Sequence, residues 1–238
     1  EATTIDHGAV VVATGGVPYR PKEYLYGEDS RVFISHELDD LVVRKDPMIT
    51  EGRSAIFIQC VGSRNDERPY CSQICCSNSL ITAMKIKEIN PDIDIYILYR
   101  DIRTYGLKEA LYTEARAKGI MFIRYSLEDL PTVTVGKEGE LVVEVIDQMF
   151  QRRLSIQADF INLATAMEPA ANEDIARHLK VPLNQDGFFA EAHVKLRPVD
   201  FATDGIFVCG LAHYPKDIEE SLAQAMAAAA RTVSVLAK

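Results

Sequence analysis

No uninterrupted apolar run in this sequence approaches the roughly 20 residues that a membrane-crossing helix needs. The Ala-rich stretch near the C-terminus is broken by Gln224 and Arg231, so it reads as a buried helix of a soluble protein with no membrane span. The start lacks the basic and apolar regions of a secretory signal. An initiating Met is absent as well: Glu1 leads almost directly into a core strand, as expected of a fragment or a processed chain. Positive charge is in deficit. The 26 Lys and Arg against 35 Asp and Glu give a formal net charge of -9. Extended phosphate surfaces and anionic lipid would be repelled, which argues against a general nucleic-acid role but leaves room for a local basic patch. Histidine is sparse. His7, His36, His178, His193 and His213 are scattered without ligand spacing, and only His213, just beyond a strand end, is a candidate cofactor neighbour.

The composition is that of an ordinary globular protein, with 47% apolar and 26% charged residues in 238, enough for one large or two modest domains. Short continuous apolar runs, bounded by Gly, Asn or Pro, read as buried parallel strands at residues 9–13, 54–61, 93–99, 120–125, 159–164 and 205–210. Helical spacing covers 77–89, 107–118 (Leu107, Leu111 and Ala115 on one face), 172–179 and 217–236, and Ser35 is placed to cap a short helix to Val42. Residues 132–135 and 140–145 read as an antiparallel hairpin, with Arg152–Ala158 as a third strand. The resulting fold class is α/β. The expected domains are discontinuous: residues 1–45 with 165–238 supply one, and 46–164 form an inserted Rossmann-like domain.

Cys60, Cys71, Cys75 and Cys76 fall within 17 residues, whereas Cys209 lies inside an apolar run and reads as a small core residue. An odd cysteine count without a signal peptide argues against a disulfide scaffold and favours a cytoplasmic protein with metal-binding or redox thiols. Thiolates are soft ligands for iron–sulfur clusters and for zinc. Four of them, reachable from one strand end, a loop and a helix start, match the corners of a four-iron cluster. The adjacent Cys75–Cys76 pair is unusual for a zinc knuckle and does not match the Cys-x-x-Cys of dithiol oxidoreductases. Zinc, thiol redox chemistry and incidental burial stay open on these residues alone. Arg64, Arg68 and Arg100 lie nearby, suited to added electron density or a phosphate, or else to a solvated loop. Tyr99, Tyr105 and Tyr112 fit packing at least as well as a flavin rim, and Glu109 fits a helix surface.

Ala13-Thr14-Gly15-Gly16 ends the first strand, and Thr203 to Gly210 carries the pattern Thr-Asp-Gly-Ile-Phe-Val-Cys-Gly. These two segments resemble the later flavin-binding signatures of the pyridine nucleotide-disulfide oxidoreductase superfamily. More narrowly, Cys60-Val-Gly-Ser-Arg64, Arg68 to Cys76, Tyr99 to Gly106 and Tyr214-Pro-Lys-Asp-Ile218 are similar to the A-type subunit of the CoB–CoM heterodisulfide reductase family, and to a related quinone-interacting oxidoreductase subunit, over nearly the whole chain. The resemblance implies an iron–sulfur flavoprotein oxidoreductase that passes electrons between partner subunits, with flavin-based bifurcation and a ferredoxin or a hydrogenase as candidate partners. It implies a 4Fe-4S cluster on Cys60, Cys71, Cys75 and Cys76. It also implies FAD near Ala13, Thr14, Gly15, Gly16, Gly210, Leu211, His213, Lys216, Asp217, Ile218 and Gln224. Leu211 stands where the superfamily has an acid, and no Gly-x-Gly-x-x-Gly occurs in either domain. The chain is therefore expected to be a central section of a longer subunit, in which either cofactor can be absent from the isolated piece. A dithiol oxidoreductase and a non-catalytic docking domain are the alternatives.

Overall fold

The computed structural model describes residues 3–237; the outermost residues of the expected domain ranges, 1, 2 and 238, lie outside the described residues. Strands β1 (Val10–Val12), β2 (Gly16–Pro18) and β3 (Val32–Ile34) come first, followed by helices α1 (Ser35–Arg44) and α2 (Pro47–Thr50) and strand β4 (Ser54–Val61). Helix α3 (Cys75–Ile89), β5 (Asp94–Tyr99), α4 (Glu109–Ala117) and β6 (Met121–Arg124) form the next run. After them come β7 (Thr132–Val135), β8 (Leu141–Asp147), β9 (Arg152–Ala158) and β10 (Phe160–Thr165). Strand β11 (Met167–Pro169), α5 (Glu173–Leu179), β12 (Ile206–Val208) and α6 (Ile218–Leu236) complete the order.

Two compact units result. One joins the chain up to Pro18 with everything from Met167 onward; the other is Tyr19–Ala166. Residues 19–45 thus lie with the second unit and not with the first, because β3 pairs in parallel with β10 inside its sheet.

The second unit is built on a parallel sheet of order β3-β10-β4-β5-β6. Strand β4 is buried from Ala55 to Val61 because both faces of the sheet are covered. Ala55 and Phe57 face the helices, in a cluster with Leu38, Leu80, Ala83, Ile95, Ile97 and Phe160. Ile56 and Ile58 point the other way, against Leu141, Val143 and Val145 of the antiparallel sheet β7-β8-β9. That second layer explains the strict alternation of β8, whose odd-numbered residues are buried. Helix α3 stops at Asn90, whose side-chain amide donates to the Ile49 and Gly52 carbonyls at 3.2 and 2.7 Å and fastens the helix end to the start of β4.

In the first unit β1 pairs in parallel with β12, and β2 pairs antiparallel with β11. Val12, Val208, Phe189 and Phe201 form its main core with Ala176 of α5. Helix α6 is held by Ala228, in contact with Phe207 and Cys209, and by a fork from Arg231 to the buried Asp200 at 2.9 and 3.0 Å. Among the described residues no helix is long and apolar enough to cross a membrane.

Several local expectations change. Ser35 opens α1 but does not cap it; Ile34 occupies the cap position, and Glu37 accepts its backbone N–H at 3.0 Å. Leu107 falls in a short 3-10 turn ahead of α4 and is 97% exposed, so only Leu111 and Ala115 carry the expected apolar face. Helix α6 is not buried: it packs through alanine and leaves Leu222, Met226 and Val233 outward. Leu80→Ala removes a fully buried side chain and is expected to cost about 2–5 kcal/mol in urea unfolding, whereas Leu107→Ala should leave the midpoint nearly unchanged.

Candidate functional site

The carboxyl end of β4 is irregular. Leu163 pairs with Ile58 and Thr165 with Val61, so Gln59 and Cys60 together oppose Ala164. This bulge puts Cys60 in the left-handed region at φ 61°, and Arg64 (57°) and Gln73 (61°) share that conformation farther along the segment. Positive φ costs a non-glycine residue free energy and recurs at functional sites. Gly62 is fixed by contact as well as by its φ of +69°: a Cβ there would collide with the Tyr19 ring. The Arg68 guanidinium covers that ring at 4.2 Å from its centroid, a cation–π contact that closes the loop.

Cys60, Cys75 and Cys76 are buried, and Cys71 is partly accessible. Cys75 and Cys76 open α3 and pack on Ala164, opposite the β4 bulge. Burial pushes the Cys60 thiol up, against the pull of Arg100 and Arg64. Cys75 is raised by its hydrogen bond with Cys76, then by burial and by the other three sulfurs. Cys76 is lowered as the partner in that bond, helped by the Arg103 backbone N–H and the Arg64 charge. Arg64 reaches Cys60 Sγ at 3.7 Å and Asp101 at 2.6 Å. Arg100 donates to the Arg64 and Ser63 carbonyls at 2.9 and 2.8 Å, so it braces the loop and does not stand free for a phosphate. Two cavities flank the segment. One, of about 500 Å³, is lined by Cys71, Gln73, Arg103, Thr104 and Tyr105, with Glu109 at its rim. The other, of about 420 Å³, is lined by Tyr24, Cys60, Gly62, Ser63, Arg100 and Tyr125.

Four soft thiols lie along this segment, and buried polar atoms in it and in its neighbours lack partners: both amide atoms of Gln59, Ser63 Oγ, Ser79 Oγ and Arg100 Nε. Unpaired buried donors are costly and fit a site that offers acceptors. Donor type and number therefore fit an iron–sulfur centre. Among the described residues, however, no three His, Cys, Asp or Glu side chains already stand together as a metal-ligand set. Tyr112 and Tyr99 pack edge-on against Phe122 at 4.7 and 6.2 Å, which makes them packing residues.

In the first unit the parallel pairing of β1 and β12 brings two carboxyl ends side by side, and Cys209 N–H donates to the Val12 carbonyl at 3.1 Å. Ala13, Thr14, Gly15 and Gly16 leave one strand; Gly210 and Leu211 leave the other. Thr14 is turned to Asn172, 2.9 Å away. Gly15 and Gly210 have positive φ with open space where a Cβ would lie, whereas a Cβ at Gly16 would stand 2.9 Å from the Glu168 carbonyl and 3.6 Å from Leu211. Leu211 is thus committed to packing. Lys216 donates to the Gly210 and Tyr214 carbonyls at 2.8 and 2.6 Å. Asp217 caps α6 through the Glu220 N–H at 2.8 Å, and Ile218 is exposed. His213 lies 2.7 Å from Glu191 and 2.8 Å from Gln224. Cys209 is the expected core residue, packed with Val199 and Phe207. Glu191 and Asp101 were not anticipated. Asp101 follows β5, where ligand-binding edges of parallel sheets lie, but Glu191 gives no local signal.

A comparison with protein-family profiles finds no match. Among individual proteins, the chain is 41% identical over 186 residues to a protein of Archaeoglobus profundus named as like the heterodisulfide reductase A-type subunit, covering 76% of this chain and 26% of that one. It is 37% identical over 247 residues to the second iron–sulfur A-type subunit of the CoB–CoM heterodisulfide reductase of Methanopyrus kandleri, covering 97% and 37%. A third relative, the A-type subunit of the H(2):CoB-CoM heterodisulfide,ferredoxin reductase of Methanothermobacter thermautotrophicus, is 34% identical and is covered over 38% of its length. The chain therefore spans well under half of these relatives. Its fold is that of flavoprotein disulfide reductases: thioredoxin reductase of T. acidophilum superposes with a TM-score of 0.65 at 13% identity, over 97% of this chain and 66% of that one. The reductase RclA of Escherichia coli gives 0.58 at 13% identity, over 91% and 42%.

Burial holds the Lys216 ammonium down to about 8 against an ordinary 10.5. Between those values the unfolded chain binds the extra proton, so this residue makes stability rise with pH across that window. Lys216→Met should remove that part of the slope in urea midpoints measured from pH 7.5 to 10.5. Parallel curves for the two proteins would refute the assignment.

Proposed function

We propose that this chain, which belongs to the CoB–CoM heterodisulfide reductase family and is homologous to one section of its A-type subunit, is the electron-transfer section of an iron–sulfur flavoprotein, with Cys60, Cys71, Cys75 and Cys76 as the cluster ligands. The observation that supports the reading is the grouping of these four thiols in the one segment that runs from the carboxyl end of β4 through its loop to the start of α3, with unpaired buried polar groups along it. A cluster held there would supply single-electron transfer, and FAD in the complete subunit would supply two-electron chemistry.

The chain's own residues supply position and charge. The bulge at Gln59–Cys60 turns Cys60 off the sheet, and α3 presents Cys75 and Cys76 from its first turn. Arg64 and Arg100 act on the Cys60 thiolate and offset part of its burial cost. Cys71, bordering its cavity, is the most accessible of the four sulfurs. In the first unit, Gly15 and Gly210 leave room for a close backbone approach, and Lys216 with the start of α6 supplies positive potential, which suits a flavin carbonyl or phosphate. The relatives are named as subunits of reductase complexes, so other subunits of an electron-transfer assembly are the proposed partners.

The test is anaerobic reconstitution with iron and sulfide, followed by metal analysis and EPR of the reduced protein. About four irons per chain are expected, the number that four cysteines hold. Cys71→Ser should lose most of the iron and the signal, and Cys209→Ser should keep both. Stoichiometric zinc without iron would overturn the reading. An iron-free protein with a Cys75–Cys76 disulfide would favour thiol redox chemistry instead.

A further inference from the structure

The hydrogen bonds around Gly210 leave little freedom in their direction. The Gly210 backbone N–H can only donate, and its partner is Gln224 Oε1 at 2.9 Å. The oxygen of the Gln224 amide therefore faces Gly210, and its NH₂ faces His213 Nδ1 at 2.8 Å. An NH₂ group cannot accept, so Nδ1 accepts and carries no proton. The proton of the neutral ring is then on Nε2, which donates to Glu191 Oε2 at 2.7 Å. The orientation of the whole chain from Glu191 to Gly210 follows from one obligatory donor.

That direction cannot survive protonation of His213. With a proton on Nδ1, two donors would face each other across 2.8 Å. The Gln224 amide must then turn, so that Oε1 accepts from Nδ1. Turning it places NH₂, or nothing, opposite the Gly210 N–H, which is left without its acceptor. We propose that Gln224 is an amide gate on Gly210: its orientation is set by the protonation of His213, and in its turned state it releases the Gly210 N–H to a ligand oxygen. By linkage, an acceptor that engages the Gly210 N–H frees Gln224 to turn and so raises the proton affinity of His213, and binding takes up one proton from solvent onto Nδ1. The ligand class is an oxygen acceptor bearing negative charge, such as a phosphate or a ring carbonyl. This proposal rests on the reading that such a ligand sits at the ends of β1 and β12.

The surroundings of Gly210 suit this role. Its φ is +69°, and no atom stands within 4 Å of where a Cβ would be, so the approach to this backbone is open. Its carbonyl, in the following peptide, is held by Lys216 Nζ at 2.8 Å and accepts the His213 N–H at 3.1 Å, so the residue is anchored on that side while the gate turns. The groups facing His213 are Glu191, which favours its protonation, and Lys216 at the start of α6, which opposes it. His193 acts on Glu191, and Glu220 acts on Lys216. Burial is the largest influence, and with Lys216 it holds the imidazole below its ordinary 6.5, the neutral state that the hydrogen bonds require.

The test uses the ligand-free chain. Nitrogen-15 NMR of the His213 ring should show the Nε2–H tautomer at neutral pH. As the pH falls, the Gly210 amide shift should move with the same midpoint as the ring, below 6.5, and its exchange protection should drop roughly three- to tenfold, the worth of one hydrogen bond. Gln224→Glu keeps an acceptor for Gly210 but removes the donor to Nδ1; it should raise the His213 midpoint and leave the Gly210 amide protected through the titration. A Gly210 amide indifferent to His213, or an Nδ1–H tautomer at neutral pH, would overturn the gate. Failure of FAD to bind would count against the flavin reading and leave this titration untouched, so the two fail separately.

Discussion

The second unit depends on how β4 ends. A strand buried on both faces must leave the sheet without stranding its backbone groups. Here it does so through two residues, Gln59 and Cys60, set against the single Ala164. The Ala166 N–H then returns to the Val61 carbonyl at 2.8 Å, the Tyr125 hydroxyl donates to the Gln59 carbonyl at 2.6 Å, and Arg100 takes the carbonyls of Ser63 and Arg64. Every sulfur of interest is placed by this closure: Cys60 by the bulge itself, Cys75 and Cys76 by packing against the strand opposite it, and Cys71 by the loop that Gly62, Tyr19 and Arg68 hold shut.

Electrostatics follow from that geometry. Burial favours neutral thiols, whereas metal ligation requires thiolates. The arginines act against burial at Cys60, and the Cys75–Cys76 hydrogen bond raises one of the two adjacent thiols and lowers the other. Arg64 is itself anchored by Asp101, so its charge is held at a fixed place and does not sweep through solvent. The first unit also holds a cation in place, here by carbonyls in place of a carboxylate. Its strand ends carry a half-buried lysine whose partners include two carbonyls, which keeps a positive potential beside open glycine backbone.

Much of the framework was legible in the sequence. The strands from Ser54, Asp94 and Phe160 announce themselves as continuous apolar runs, since covering both faces of a parallel sheet demands them, and β8 announces itself by alternation because only one of its faces is covered. The three-residue strands β2, β3 and β11 do not, because pairing and not composition makes them strands. Leu107 and α6 misled for a related reason: an apolar residue or stretch need not be covered, since the first residue of a turn can fall outside the helix, and an Ala-rich helix can pack through one edge alone.

The sequence alone determined the fold class, the parallel framework and the grouping of four cysteines, because these are local matters of residue type and spacing. Tertiary structure alone decided the boundary at Tyr19, the bulge that turns Cys60, the commitment of Arg100 to backbone carbonyls, and the chain from Glu191 through His213 and Gln224 to Gly210. Each of these rests on partners far apart in sequence. A hydrogen bond's direction depends on which donor is obligatory at the other end, and only folding brings that donor within reach.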